Sequence, residues 1–295
     1  MALQLWSPAK VNLFLEIVGK RADGYHEVRT VLQHVDLCDE IRISEDVQGI
    51  VVECSGLPCP EGEENLVYRA AALFLEACGI RAGVRIQIAK RIPLGAGLGG
   101  GSSNAATTLW GLNRLFGTDV TPEELHGLSA QLGSDVPFFL GGPTAWASGR
   151  GEHLHPLPPF PCSWLLVAFP GFPVPTVWAY ANLKLTGRDK SIRVIREAER
   201  GNYEPLLSSS WNRFEEVVFH RYPIVKQLKE CLDDWGARPA LMTGSGSAVY
   251  GRAQTREEAE RWAPRLREKG CTVFVVQTLS RPPLRPGGIG ETGPE

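Results

Sequence analysis

The sequence predicts a two-domain α/β protein, α+β in the order of its elements, and three observations predict it. Roughly the first fifty residues are rich in strand-like, β-branched segments, and helix-period and strand-period segments then take turns along the rest of the chain. A proline-rich run, Pro156–Pro161 (PLPPFP), interrupts the pattern as a domain boundary does. The length, 295 residues at 43% hydrophobic and 22% charged, is that of a soluble globular protein and suffices for one large or two modest cores. These observations place an N-terminal domain at residues 1–160, a C-terminal domain at 161–280, and a tail at 281–295 (RPPLRPGGIGETGPE) whose composition predicts disorder.

In chain order, Val11, Leu13, Leu15 and Ile17 alternate with Asn12, Phe14, Glu16 and Val18, which reads as a strand. Glu27–Leu37, Glu40–Ser44 and Ile50–Cys54 are strand-like and rich in β-branched residues. Asn65–Cys78 reads as a helix with Leu66, Ala70, Leu73 and Ala77 near one face, ended by Gly79. Val84–Ala89 is a strand, followed by a glycine-rich stretch and a helix over Ser103–Phe116 closed by Gly117. Thr121-Pro122-Glu123-Glu124 opens the next helix with a capping threonine, proline at the first position and glutamate at the third; it runs to Leu132. Beyond the proline run, Trp164–Phe169 is an apolar strand, and Thr176–Leu185, Ser191–Glu199 and Trp211–Trp235 are helical. Ala240–Met242 and Ala248–Arg252 are strands flanking a glycine turn, Arg256–Lys269 is a charged helix, and Thr272–Gln277 is a last strand.

Composition excludes several function classes. A net charge of −2 gives no global basic field for nucleic acid. There is no apolar run of membrane-spanning length, and MALQLWSPAK does not resemble a signal peptide, so a cytoplasmic protein with no membrane or protein partner is expected. The seven cysteines are scattered and odd in number, without a C-x-x-C pair, which predicts reduced thiols. His153 and His155 alternate as on a strand, but no cluster completes a zinc site.

The stretch Pro93–Thr107, PLGAGLGGGSSNAAT, carries the chemistry. Glycines let backbone amides converge, and a helix N-terminus adds unpaired N–H groups with partial positive charge, so a strand–glycine–helix junction is an anion nest suited to phosphate. The Walker pattern would end Gly-Lys-Ser/Thr, whereas Gly101 is followed directly by Ser102. Gly95, Gly97 and Gly100 match the dinucleotide fingerprint by letters, but a second capped helix follows where a strand ending in an acid belongs.

This stretch resembles the phosphate motif of the GHMP small-molecule kinases. Two further motifs of that family stand in order: Ser7-Pro8-Ala9-Lys10-Val11-Asn12-Leu13 and Leu241-Met242-Thr243-Gly244-Ser245-Gly246-Ser247-Ala248. The resemblance covers residues from about 5 to 280. It implies an N-terminal domain like ribosomal protein S5 domain 2, a ferredoxin-like C-terminal domain, and a site in the cleft between them. It also implies ATP and Mg²⁺ as cofactors and a small-molecule alcohol as acceptor. Lys20-Arg21-Ala22-Asp23-Gly24-Tyr25-His26-Glu27, with Gly99-Gly100-Gly101 and Gly133-Ser134-Asp135-Val136-Pro137, is similar to the branch that phosphorylates the 2-hydroxyl of CDP-methylerythritol in non-mevalonate isoprenoid synthesis.

By the same resemblance, Asp135 is the catalytic base and Lys10 its electrostatic partner. The ATP contacts are Pro93, Leu94, Gly95, Ala96, Gly97, Leu98, Gly99, Gly100, Gly101, Ser102 and Ser103, with Asn65, Leu66 and Lys90 on the adenine side. Ser102 and Ser103 are the candidate magnesium hydroxyls, since Asn104 brings no carboxylate after the serines. Substrate contacts are Asn12, Tyr25, His26, Thr176, Tyr180, Gly244, Ser245 and Gly246, with Tyr25 offering a π-face and His26 hydrogen bonds to a cytosine. A sister kinase acting on homoserine, mevalonate or a sugar uses the same phosphate loop, and a nucleotide-binding sensor that has lost transfer is the alternative from another class.

Overall fold

The computed structural model describes residues 2–46, 49–185, 189 and 191–284; from residue 285 onward the expected tail lies outside them. Strands β1 (Ala2–Lys20) and β2 (His26–Asp46) form a long antiparallel hairpin in which Lys10 faces His34 and Asn12 faces Leu32. The two strand segments expected at Glu27–Leu37 and Glu40–Ser44 are one continuous strand that carries the buried Asp39 through its middle. Next come β3 (Ile50–Gly56), α1 (Leu66–Ala77), β4 (Gly83–Lys90), α2 (Gly100–Phe116) and α3 (Pro122–Leu132). A 3-10 turn at Pro137–Leu140 leads to β5 (Thr144–Ser148) and β6 (His153–Pro156). The N-terminal sheet runs β3-β4-β2-β5-β6, with β1 on the other side of β2. One half of β2 pairs with β4 and the other with β5.

The second half of the chain holds β7 (Trp164–Phe169), α4 (Thr176–Asn182), α5 (Ser191–Glu199), α6 (Glu204–Ser208), α7 (Glu215–Arg221) and α8 (Pro223–Asp234). It closes with β8 (Ala240–Met242), β9 (Val249–Ala253), α9 (Arg256–Arg267) and β10 (Thr272–Gln277). Its antiparallel sheet runs β10-β7-β9-β8, the ferredoxin-like order.

Three apolar clusters hold these layers together. Ile41, Ile43 and Ile86 of the first sheet pack on Ala105, Leu109 and Leu112 of α2 and Phe74 of α1. The other side of the hairpin (Val11, Leu13, Val31, Val35) packs against Leu165, Val167, Tyr250 and Val276, joining the two sheets. Leu166, Ala168 and Val249, on the opposite face of β7 and β9, pack on Leu228 and Leu232 of α8 and Trp262 and Leu266 of α9. The proline run links β6 to β7, yet its Leu157 and Phe160 are buried in the inter-sheet core.

Three expectations are corrected here. The helix expected over Trp211–Trp235 is two helices broken at Tyr222, because the residue before Pro223 is driven out of the helical region (φ −127°, ψ 74°). The helix expected from Ser103 begins at Gly100, with Gly99 as its left-handed N-cap. Cys54 and Cys59, expected to be reduced, are joined by a disulfide, while the other five cysteines are free.

Candidate active site

The glycine stretch is pinned at four points. The Lys10 amide donates to Leu98 O (2.9 Å), Ala248 N to Ala96 O (3.1 Å) and Val174 N to Gly95 O (3.4 Å), and the Thr243 hydroxyl donates to Gly97 O (3.2 Å). Gly95, Gly97 and Gly99 all have positive φ (63°, 80° and 71°), so alternate amides turn the same way. At Gly97 only glycine fits: a Cβ there would stand 2.1 Å from the carbonyl oxygen of Thr243. The chain then enters α2, whose first N–H groups have no intrahelical partner.

This turn forms one wall of a cavity of about 290 Å³ between the two sheets. Pro93–Gly97, Gly99–Gly101 and Ser102 line it from the turn, with Leu66 and Lys90 beside them. Lys10, Asn12 and Asp135 face them, and Thr176, Tyr180, Gly244 and Ser245 come from the C-terminal half.

Lys10 stands on β1 and is only 4% exposed. Its Nζ donates to Asn12 Oδ1 (2.6 Å) and lies 3.9 Å from Asp135 Oδ2. Burial lowers the proton affinity of this ammonium, and the Asp135 charge opposes that shift. Asp135 is 45% exposed toward the cavity. It follows the end of α3 and precedes the 3-10 turn, whose Phe138 and Phe139 are buried, with Phe138 stacked on the His34 ring (4.1 Å). Packing therefore fixes the backbone on the C-terminal side of the carboxylate. Tyr180 also lies near Asp135: burial, then that charge, raises the pKa of its phenol.

Several expected contacts sit differently. The Asn12 amide lines the cavity but its oxygen is taken up within the protein: Oδ1 accepts from Lys10, Gly244 N (2.8 Å) and Thr243 Oγ1 (3.1 Å), and one N–H of Nδ2 donates to Thr30 Oγ1 (2.8 Å). It thus ties Lys10 to the second glycine turn. Asn65 does not line the cavity; its side chain caps α1, accepting from Val67 N (2.9 Å). Ser103 is buried with its hydroxyl against Ser7 Oγ (2.7 Å), so of the two serines only Ser102 faces the cavity. Leu98 is buried in the inter-sheet core, and Gly246 lies off the lining. Lys90 reaches the cavity but is 3% exposed and ion-paired with Asp39. His26 stacks on Tyr180 (4.8 Å, 22°) across the cleft, and Tyr25 is 55% exposed.

Sequence reasoning missed Arg150 and Phe214. Arg150 lines the cavity and lays its guanidinium over the Tyr25 ring at 4.8 Å. Its only sequence signal is an arginine between two turn glycines, Gly149 and Gly151. Phe214 packs edge-on to Tyr180 (4.8 Å) and was hidden inside an expected helix. The hollow thus offers an anion cradle at one end and a carboxylate–ammonium pair opposite, a layout suited to moving a phosphoryl group onto a hydroxyl.

Comparison with known proteins identifies the family. The GHMP kinases N terminal domain profile matches residues 65–142, and the GHMP kinases C terminal profile matches residues 192–270. A 4-diphosphocytidyl-2-C-methyl-D-erythritol kinase of Geobacter sp. is 43% identical over 279 residues, covering 94% of this chain and 99% of its own length. One from Moorella thermoacetica is 42% identical over 286 residues, with the same coverage. A crystal structure of 4-(cytidine 5'-diphospho)-2C-methyl-D-erythritol kinase superposes with a TM-score of 0.78 at 39% identity, covering 94% of this chain and 99% of that one. Homoserine kinase from Cytophaga hutchinsonii shares the fold (TM-score 0.74, 17% identity, 95% of each chain).

Proposed function

This chain belongs to the GHMP kinase family, and on that premise we propose how its own residues carry out the reaction. The reaction is the ATP-dependent phosphorylation of the 2-hydroxyl of 4-diphosphocytidyl-2-C-methyl-D-erythritol, a step of the non-mevalonate route to isoprenoid precursors. The observation that carries the mechanism is the single hollow shared by the glycine turn, Lys10 and Asp135.

The amides of the turn and of the α2 N-terminus grip the triphosphate. Asp135 takes the proton of the acceptor hydroxyl as that oxygen bonds to the γ-phosphorus, and the bond to the β-phosphate oxygen breaks to leave ADP. Lys10 stabilises the negative charge on the attacking and transferring groups, and Asn12 holds it in line. The cytosine enters between the stacked His26–Tyr180 pair and Tyr25, whose ring lies under the Arg150 guanidinium. Ser102 lines the hollow beside the glycine turn, and a hydroxyl there suits magnesium, which would rest on Ser102 and phosphate oxygens and keep waters. When bound, it neutralises phosphate charge. We place the two lobes at 1–160 and 161–280 and the enzyme in the cytoplasm; among the described residues no helix is long and apolar enough to cross a membrane.

The test is a coupled ADP-release assay with ATP and a panel of acceptors. Turnover with CDP-methylerythritol and none with homoserine, mevalonate or galactose is expected, and phosphorus NMR should put the new phosphate on the 2-hydroxyl. Preference for an acceptor without cytidine would overturn the substrate assignment.

A further inference from the structure

Behind the phosphate-gripping turn lies a buried polar cluster that the transfer step itself does not use. Lys90 ends β4, Asp39 sits in mid-β2 and Asn104 is in the second turn of α2; each is at most 3% exposed. The Lys90 ammonium donates to Asp39 Oδ2 and to Asn104 Oδ1 (2.8 Å). Asn104 Nδ2 donates to the same Asp39 oxygen (2.9 Å) and to Ser7 Oγ (2.9 Å). The other Asp39 oxygen accepts the amides of Arg91 (2.7 Å) and Ile92 (2.9 Å), where the chain leaves β4 for the turn. Ser7 completes the chain of bonds to Ser103 (2.7 Å).

This cluster touches the turn directly. A Cβ on Gly100, the first residue of α2, would stand 2.9 Å from Lys90 Nζ and 2.8 Å from Ile92 Cγ2. The ammonium is therefore packed against the backbone that begins the helix. The cluster holds one cation and one carboxylate, so it is neutral as a whole, and its third member is an amide.

We propose that Lys90, Asp39 and Asn104 are positioning residues that form a charge-neutral platform under the phosphate turn, and that the amide at 104 is what keeps it neutral. A carboxylate of the same shape at 104 would leave two anions on one cation, directly beneath a triphosphate. In that low-dielectric site the extra charge is poorly screened and repels ATP. The acceptor, on the far side of the hollow, is little affected. The proposal rests on the turn being the ATP cradle.

Three variants test it, by calorimetric ATP binding and steady-state kinetics. Asn104→Asp should raise both the Kd and the KM for ATP at least tenfold, with kcat and the KM for the alcohol within threefold. Lys90→Met, which strands the Asp39 charge, should shift ATP the same way; because Lys90 also lines the hollow, the swap below is what separates charge balance from a lost ATP contact. The swap Asp39→Asn with Asn104→Asp restores neutrality: the amide placed at position 39 can still accept from the Arg91 and Ile92 backbone and donate to the carboxylate placed at position 104, and the Lys90 ammonium, which then faces an NH₂ where Asp39 Oδ2 stood, shifts wholly onto the oxygen at 104 that it already contacts. It should bring ATP affinity back to within threefold of the parent. General structural damage would lower kcat and would not be rescued by moving a charge. The proposal is overturned if Asn104→Asp and Lys90→Met bind ATP within twofold of the parent, or if the swap binds no better than the single change. Should Asn104→Asp fail to fold, the swap decides alone, and its failure to fold or to bind ATP also overturns the proposal. A parent that bound ATP but transferred nothing would remove the kinase reading and leave the platform standing; a parent that bound no ATP would remove both.

Discussion

Replacing Asn12 by leucine removes one amide and leaves its volume filled, so the effect reports hydrogen bonds rather than a cavity. Asn12 is 2% exposed, and its Oδ1 accepts from Lys10 Nζ (2.6 Å), Gly244 N (2.8 Å) and Thr243 Oγ1 (3.1 Å). Thr243 can still donate to Gly97 O, and Thr30 to Phe14 O, so neither hydroxyl is stranded. The Gly244 N–H is stranded, at about 1–3 kcal/mol, and a charge-assisted bond worth about 1.5–3 kcal/mol is lost. Unfolding free energy should therefore fall by roughly 2.5–6 kcal/mol, read from urea denaturation. Lys10 keeps only the more distant Asp135 as an anchor. Its proton affinity, already lowered by burial, falls further. Because the ammonium is needed charged, activity is lost as pH rises through its pKa, and that alkaline limb should move to lower pH in Asn12→Leu. At neutral pH kcat should drop by roughly 10²-fold. A variant within about 1 kcal/mol of the parent in stability and within threefold in kcat would refute the reasoning.

Gly97→Ala forces a Cβ to 2.1 Å from Thr243 O at a φ of +80°, so the phosphate turn and the second glycine turn must separate. It should cost about 3 kcal/mol or more and abolish ATP binding; an unchanged melting temperature with normal ATP affinity would contradict the close approach. His34 is fully buried on Phe138, and burial pushes its pKa down from 6.5 to about 3. The unfolded chain therefore binds a proton that the folded chain refuses. Stability is unaffected above about pH 6.5 and falls as pH drops toward 3, by roughly 2 kcal/mol at pH 5. His34→Gln should remove that share of the slope, and parallel stability–pH curves for the two proteins would count against it.

The parts legible in the sequence were those dictated by local chemistry. Alternate glycines between a strand and a helix announce an anion nest because no other residue takes those φ values without strain, and Thr121 with Glu124 announces a helix start through its reciprocal cap. What stayed hidden depends on partners distant in the chain. Asp39 fell in the gap between two expected strands, because a buried acid in mid-strand makes sense only once Lys90 and Asn104 reach it. Ser102 and Ser103 are indistinguishable as letters, yet helix geometry sends one to the cavity and the other to Ser7. Asn12 was legible as a residue of the hollow, but the bond its oxygen makes to the second glycine turn was not. Arg150 has no motif of its own; only the β5–β6 connection brings it over Tyr25. The break before Pro223 could have been read from the proline itself.

The most direct test of the central claim, that Asp135 accepts the proton while the glycine turn and the α2 N-terminus grip ATP without it, is to measure turnover and ATP affinity together on Asp135→Asn. The charge is removed while the shape is kept, and Asp135 makes none of the contacts that pin the turn. The account predicts a fall in kcat of about 10³-fold or more with the Kd for ATP within threefold of the parent. Turnover near the parental rate, or loss of ATP binding in step with activity, would contradict it.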